Sequence, residues 1–200
     1  MSKHCRDNAA DRKLGEYWER AFCIMAGERG RSYTPQQIGR TASAQAYLKQ
    51  NGKYSHWTLP DVTVWTYPGE HHEIKHKSPT GGGRFGLERY RYDALAWFAN
   101  ETQQQVYYTI HRWDLAGEHS TENHIEHWVT ISVEQLEEMN ANGRGQLYDA
   151  NGDSRGNSYV NGQKKNVAMY FWPARAWEPL ASLWRPDLYR CDQGLLSLGI

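Results

Sequence analysis

Apolar residues recur at helical spacing near the start of the chain. Leu14, Trp18, Ala21, Phe22 and Met25 share one stripe, which predicts an amphipathic helix from Asp11 to about Ala26, stopped at Gly27. Thr34-Pro35 has the form of an N-cap followed by proline at the first helical position, and Ile38, Ala42, Ala46 and Leu48 continue to the stop signal Asn51-Gly52, so a second helix is predicted. The period then shortens. Asp61–Trp65 and His72–Lys75 are short β-type runs on either side of the turn dipeptide Pro68-Gly69, which predicts an antiparallel hairpin.

Three consecutive glycines, Gly81 to Gly83, precede a third predicted helix from about Leu87 to Asn100, with Leu87, Tyr90, Ala94, Trp97 and Phe98 on one stripe and Arg89 and Arg91 on the outer face. Gln105–Arg112 and His127–Ser132 read as strands, and Val133–Met139 as a short helix. Asn, Asp, Gly and Ser dominate from Asn140 to Gln163, which predicts a loop-rich insertion. A strand over Asn166–Trp172 and a helix over Arg175–Leu183 follow. This order of elements is that of a mixed α/β layer.

Composition narrows the class. The chain has 200 residues, a length that fits a single domain, with a core over about residues 11–115 and an elaboration over about 116–200. Only 4 Phe stand beside 9 Trp and 13 Tyr, so the core is aromatic-heavy. With a mean hydropathy of −0.85, a membrane span is not expected. The 23 basic residues balance the 23 acidic ones, which argues against coating nucleic acid or membrane through bulk charge but leaves room for a local basic channel. The 3 cysteines show no metal or disulfide spacing, and the first residues lack the apolar run of a secretory signal; an intracellular, cytoplasmic location is the expectation.

The chemistry concentrates on the hairpin. In a strand, residues i and i+2 point to one side, so Glu73 and Lys75 project together and Asp61, at the start of the partner strand, can face them. Two carboxylates in one spot repel each other and are stable chiefly around a divalent cation, and hard oxygen ligands favour Mg²⁺ or Mn²⁺. Such a cation polarises a phosphodiester, while a lysine beside it orients or deprotonates water or stabilises developing charge.

Pro60, Asp61, Glu73 and Lys75 resemble the signature of the PD-(D/E)XK nuclease superfamily: a Pro-Asp followed, after a variable gap, by (Asp/Glu)-x-Lys on a β-hairpin. The likeness extends to Gly15-x-x-x-Glu19 on the first helix, similar to archaeal junction resolvases of that superfamily, and to Glu88-x-x-x-Tyr92 after the motif. The resemblance implies a restriction endonuclease-like core, a central mixed β-sheet flanked by α-helices. It also implies Mg²⁺-dependent DNA hydrolysis leaving a 5′-phosphate, with Asp61, Glu73 and the Ile74 carbonyl around the metal, Lys75 beside the attacking water, and DNA as partner. Glu19, at the margin of its apolar stripe, is a further candidate ligand or water-positioning group. Arg84, Arg89 and Arg91, with the amides of Gly81–Gly83, are the candidate phosphate contacts. Many such enzymes cut two strands as homodimers, which is the expectation here too.

Other readings compete. His72-Glu73-Ile74-Lys75-His76 spells H-E-x-x-H, which binds zinc in peptidases but requires a helix. On a strand, His72 and His76 belong to the face opposite Glu73 and Lys75. A non-catalytic nucleic-acid-binding module of the same fold is a third reading. Asp149–Ser154 lacks the glycine and glutamate of a calcium loop. His111, His119, His124 and His127 have no ligand spacing and read as solvated loop residues, and Trp172, Trp177 and Trp184 read as core.

Overall fold

The computed structural model describes residues 8–35, 60–65, 69–117, 121–148, 157–160, 163–166 and 168–184. Helix α1 (Asn8–Glu28) is followed by strands β1 (Ser32–Pro35), β2 (Val62–Trp65), β3 (Glu70–His76) and β4 (Arg84–Glu88). Next come α2 (Arg89–Thr102), β5 (Gln105–His111), α3 (Trp113–Ala116), β6 (Trp128–Ser132), α4 (Val133–Ala141) and β7 (Gln146–Tyr148). Strands β8 (Asn157–Val160), β9 (Gln163–Asn166), β10 (Met169–Pro173) and β11 (Glu178–Pro179) lead to α5 (Leu180–Leu183).

Six strands form a mixed sheet in the order β1-β2-β3-β5-β6-β11. Strands β3 and β5 pair in parallel, whereas their neighbours on both sides pair antiparallel. Parallel neighbours need a crossover, and the chain supplies β4 and α2 as that connection. Strand β10 pairs with β4 and β7 in a smaller antiparallel sheet.

Each face of the large sheet buries its own core, because side chains alternate along every strand. Val62, Val64, Ile74 and Trp128 pack on Trp18, Ala21, Phe22 and Met25 of α1. From the other face, Val106, Tyr108, Ile110, Val129 and Ile131 meet Leu95 of α2, Leu136 of α4, and Phe85, Leu87 and Trp172 of the small sheet. The fold is thus a central mixed sheet flanked by helices, the class that the order of elements predicts. Trp172, Trp177 and Trp184 are all buried, as expected.

Several local expectations are corrected. Thr34 and Pro35 lie in β1, so Pro35 is not the first residue of a helix; proline is tolerated there because β1 is an edge strand. The rest of the second predicted helix and the Asp149–Ser154 loop lie outside the described residues. Leu87 belongs to β4, where Phe85 and Leu87 alternate inward, and α2 starts only at Arg89. This start rotates the buried stripe of α2 onto Tyr92, Ala94, Leu95 and Ala96, leaving Tyr90 and Trp97 exposed. Leu14 is also exposed. The loop-rich region from Asn140 to Gln163 contains β7 and β8, and β8 pairs with β9. Over Arg175–Leu183, Pro179 sits in β11 and only Leu180–Leu183 is α-helical, since proline cannot donate within a helix.

Candidate active site

The hairpin of β2 and β3 forms as predicted, with Val62 opposite His72 and Thr63 opposite His71. Alternation along β3 sends Glu70, His72, Ile74 and His76 toward α1, and His71, Glu73 and Lys75 toward α2. Ring contacts mark the two sides: His72 meets Phe22 and His76 stacks on Trp18, whereas His71 meets Phe98 of α2.

Asp61, Glu73 and Lys75 converge on the α2 side. Asp61 Oδ2 accepts the Ile74 N–H at 2.8 Å, which fixes the carboxylate against the backbone of β3. Lys75 Nζ lies 3.7 Å from Asp61 Oδ2, donates to the Ile74 carbonyl at 3.0 Å and pairs with Glu73 Oε1. Glu73 is fully buried, and its Oε2 has no hydrogen-bond partner. Burial pushes the Glu73 carboxyl above its ordinary value; Arg91 opposes the shift and Asp61 adds to it. For Lys75, burial works against the charge, but Glu73 and Asp61 outweigh it and hold the ammonium above the ordinary lysine value.

Arg91 departs from the expectation of an outer-face phosphate contact. Its Nη1 lies 3.4 Å from Glu73 Oε1, because α2 begins at Arg89 and turns residue 91 inward. Arg89 does lie outside, half exposed and paired with Asp93 at 3.5 Å, and Arg84 donates to Gln146 Oε1 at 2.7 Å. The three arginines therefore have three separate partners. Glu19 is half-buried on α1, whose neighbouring residues Trp18 and Phe22 cover the face of β3 opposite Glu73. Among the described residues no three His, Cys, Asp or Glu side chains converge to hold a metal, so Glu19 does not join Asp61 and Glu73 in such a group.

Lys77, which the motif leaves out, and Glu88, which the resemblance gives only as a flanking residue, belong to the site's surroundings. Lys77 continues the alternation past Lys75; its Nζ donates to the Gly86 carbonyl at 2.7 Å, which also accepts from Tyr108 Oη at 3.0 Å. Burial pushes the Lys77 amine down to about 8, with Glu88 opposing. Burial pushes the Glu88 carboxyl up, but Lys77, a backbone hydrogen bond, Lys75 and Arg91 together outweigh it and hold the group below the ordinary carboxylate value. The signal was present in the repeating Glu-x-Lys-x-Lys of residues 73–77.

The H-E-x-x-H string lies on β3, not on a helix. Four residues of strand separate His72 from His76 by about 13 Å of rise, and Glu73 points the other way. Both imidazoles are already engaged: His72 Nδ1 with Thr109 Oγ1 at 2.8 Å, and His76 Nδ1 with His111 Nδ1 at 2.9 Å. The zinc peptidase geometry is thereby removed. His111, read from sequence as a loop residue, is fully buried in β5 and stacks on Trp18 with ring centroids 3.6 Å apart. A second polar cluster on this side was not legible beforehand: buried Glu70 accepts from Trp184 Nε1 at 3.0 Å and lies 3.4 Å from His72 Nε2.

No protein-family model matches this chain, and no curated protein matches its sequence. Among solved structures, the chain is similar to Hjc, a Holliday junction resolvase from the archaeal hyperthermophile Archaeoglobus fulgidus, with 11% identity and a TM-score of 0.45 over 86% of this chain and 95% of that one. No helix among the described residues is long and apolar enough to cross a membrane.

Proposed function

We propose that this chain is a divalent-metal-dependent nuclease with a restriction endonuclease-like core, hydrolysing DNA phosphodiester bonds at Asp61, Glu73 and Lys75. The observation that carries the proposal is the meeting of these three side chains on one face of the hairpin, with Asp61 clamped by the Ile74 amide. A non-catalytic binding module has no use for two carboxylates facing a phosphate.

The donor set fits Mg²⁺, with Mn²⁺ as substitute. It offers hard oxygens from Asp61, Glu73 and the Ile74 carbonyl, and the buried, unpartnered Glu73 Oε2 is an acceptor that a cation would satisfy. A cation held there supplies charge neutralisation and Lewis-acid polarisation of a phosphoryl oxygen. Lys75, beside both carboxylates, would orient or deprotonate the attacking water or stabilise developing negative charge. In hydrolysis the water oxygen bonds to phosphorus, the bond from phosphorus to the 3′-oxygen breaks, and the products are a 3′-hydroxyl and a 5′-phosphate. A homodimer would bring two such sites to the two strands of a duplex.

The test is incubation of purified protein with supercoiled plasmid, linear duplex, single strand and four-way junction, with and without Mg²⁺, beside Asp61→Asn and Lys75→Ala. Cleavage that needs the metal, Asp61 and Lys75 is the expected result. Wild-type activity in either variant, or restoration of activity by Zn²⁺ alone after EDTA, overturns the assignment.

A further inference from the structure

A cavity of about 740 Å³ opens beside the Lys77 end of the site. This lies within the range of about 300–1,000 Å³ typical of pockets for ligands of small-molecule size. It is lined by Lys77, the residue that follows β3, by the glycine turn and by the small sheet.

The lining has a definite chemistry. Lys77 and Arg84 contribute positive charge, and no Asp or Glu lines it among the described residues. Gly81 and Gly82 leave the turn backbone uncovered by side chains. The Tyr148 and Phe171 rings meet edge to face with centroids 5.3 Å apart. Gln146 joins Arg84 to Tyr148 on the small sheet, since its Oε1 accepts from both Arg84 Nη1 and Tyr148 Oη at 2.7 Å. Two cations, open backbone and an aromatic pair lining one cavity match the phosphate and base of one nucleotide. A base can lie against such rings only when it is out of the duplex stack.

We infer that this cavity holds a single unpaired nucleotide beside the scissile bond, its base against Tyr148 and Phe171 and its phosphate between Lys77, Arg84 and the Gly81-Gly82 backbone. The inference rests on the nuclease proposal for its substrate class and adds that the preferred substrate has an unpaired or displaced strand next to the cut.

The experiment uses the full chain without divalent cation, so that binding is read apart from cleavage. A short single strand carrying 2-aminopurine is titrated with wild type, Tyr148→Ala and Gly81→Trp, and the same strand annealed to its complement serves as the duplex probe. Gly81 lies in an exposed turn where an added Cβ meets nothing within 4 Å, so its tryptophan fills the cavity mouth without loading the core. Wild type is expected to quench the 2-aminopurine. Tyr148→Ala is expected to lose the quench, and both variants are expected to weaken single-strand binding by about tenfold, more than they weaken duplex binding. Equal quenching and equal single-strand affinity in all three proteins overturn the inference, as does the absence of any quench in wild type. Quenching by a protein that cuts nothing with Mg²⁺ keeps the cavity assignment and sinks the nuclease proposal; Mg²⁺-dependent cutting without quenching does the reverse.

Discussion

Arg91 Nη1 lies 3.4 Å from Glu73 Oε1, on a fully buried carboxylate whose other oxygen, Oε2, has no hydrogen-bond partner. The guanidinium thus opposes the effect of burial on this charge, and Oε2 is left as the acceptor that a cation would satisfy. Removing Arg91 leaves Glu73 with Lys75 as its remaining counter-charge. Arg91→Ala is expected to lower stability by about 2–4 kcal/mol without divalent cation, and Mg²⁺ is expected to recover part of that loss. Arg89→Ala, on the exposed face, is expected to stay within about 0.5 kcal/mol of wild type. Urea denaturation of both variants with and without Mg²⁺ checks the pair; equal losses would show that Arg91 does not serve Glu73.

The histidines under α1 predict a pH dependence. Burial pushes His111 down to about 3, with His76 and His127 adding to the shift, and burial alone pushes His76 down to about 4. In the unfolded chain both titrate near 6.5, so below that pH the unfolded state binds more protons than the folded one. Stability is therefore fully present above about pH 6.5 and is lost as the pH falls toward 4, by about 1.4 kcal/mol per unit of separation for a fully buried group. His111→Phe keeps the stack on Trp18 and is expected to flatten the loss between pH 7 and pH 5. Denaturation midpoints across that window decide it, and a slope identical to wild type rules it out.

Gly86 is fixed by packing. A Cβ there would sit 2.6 Å from Phe171 Cε1 and 2.9 Å from Cδ1, and the buried Phe171 ring is held by Tyr148. Gly86→Ala is expected to cost about 1–3 kcal/mol. Thermal melting should show a drop of several degrees, against no comparable drop for Gly81→Ala.

His72 serves the core and not a metal. Its ring joins Thr109 and Glu70 in a fully buried setting, so His72→Ala leaves polar groups unsatisfied and is expected to cost about 2–4 kcal/mol. The Mg²⁺ requirement of cleavage is expected to be unchanged at temperatures where the variant is folded. A change in metal preference toward Zn²⁺ would contradict this.

The sequence by itself determined what depends on local periodicity. The amphipathic stripe of α1, the hairpin, the strand nature of residues 105–111 and the short helix after Ser132 all follow from spacing within a few residues. The structure adds that Ser132 caps α4, with Gln135 completing the capping box. The same period of 2 put Glu73 and Lys75 on one side and His72 and His76 on the other, and so made the core of the site readable. Only the tertiary structure decided what depends on residues far apart in the chain. The start of α2 was set by the pairing of β4 with β10, about eighty residues later, and that start turned Arg91 from the outer face to Glu73. The burial of His111 under Trp18 and the cavity between the glycine turn and the Tyr148–Phe171 rings arise in the same way. Side-chain period is a property of the backbone conformation, whereas the partner of a buried charge is chosen by whichever distant element covers it.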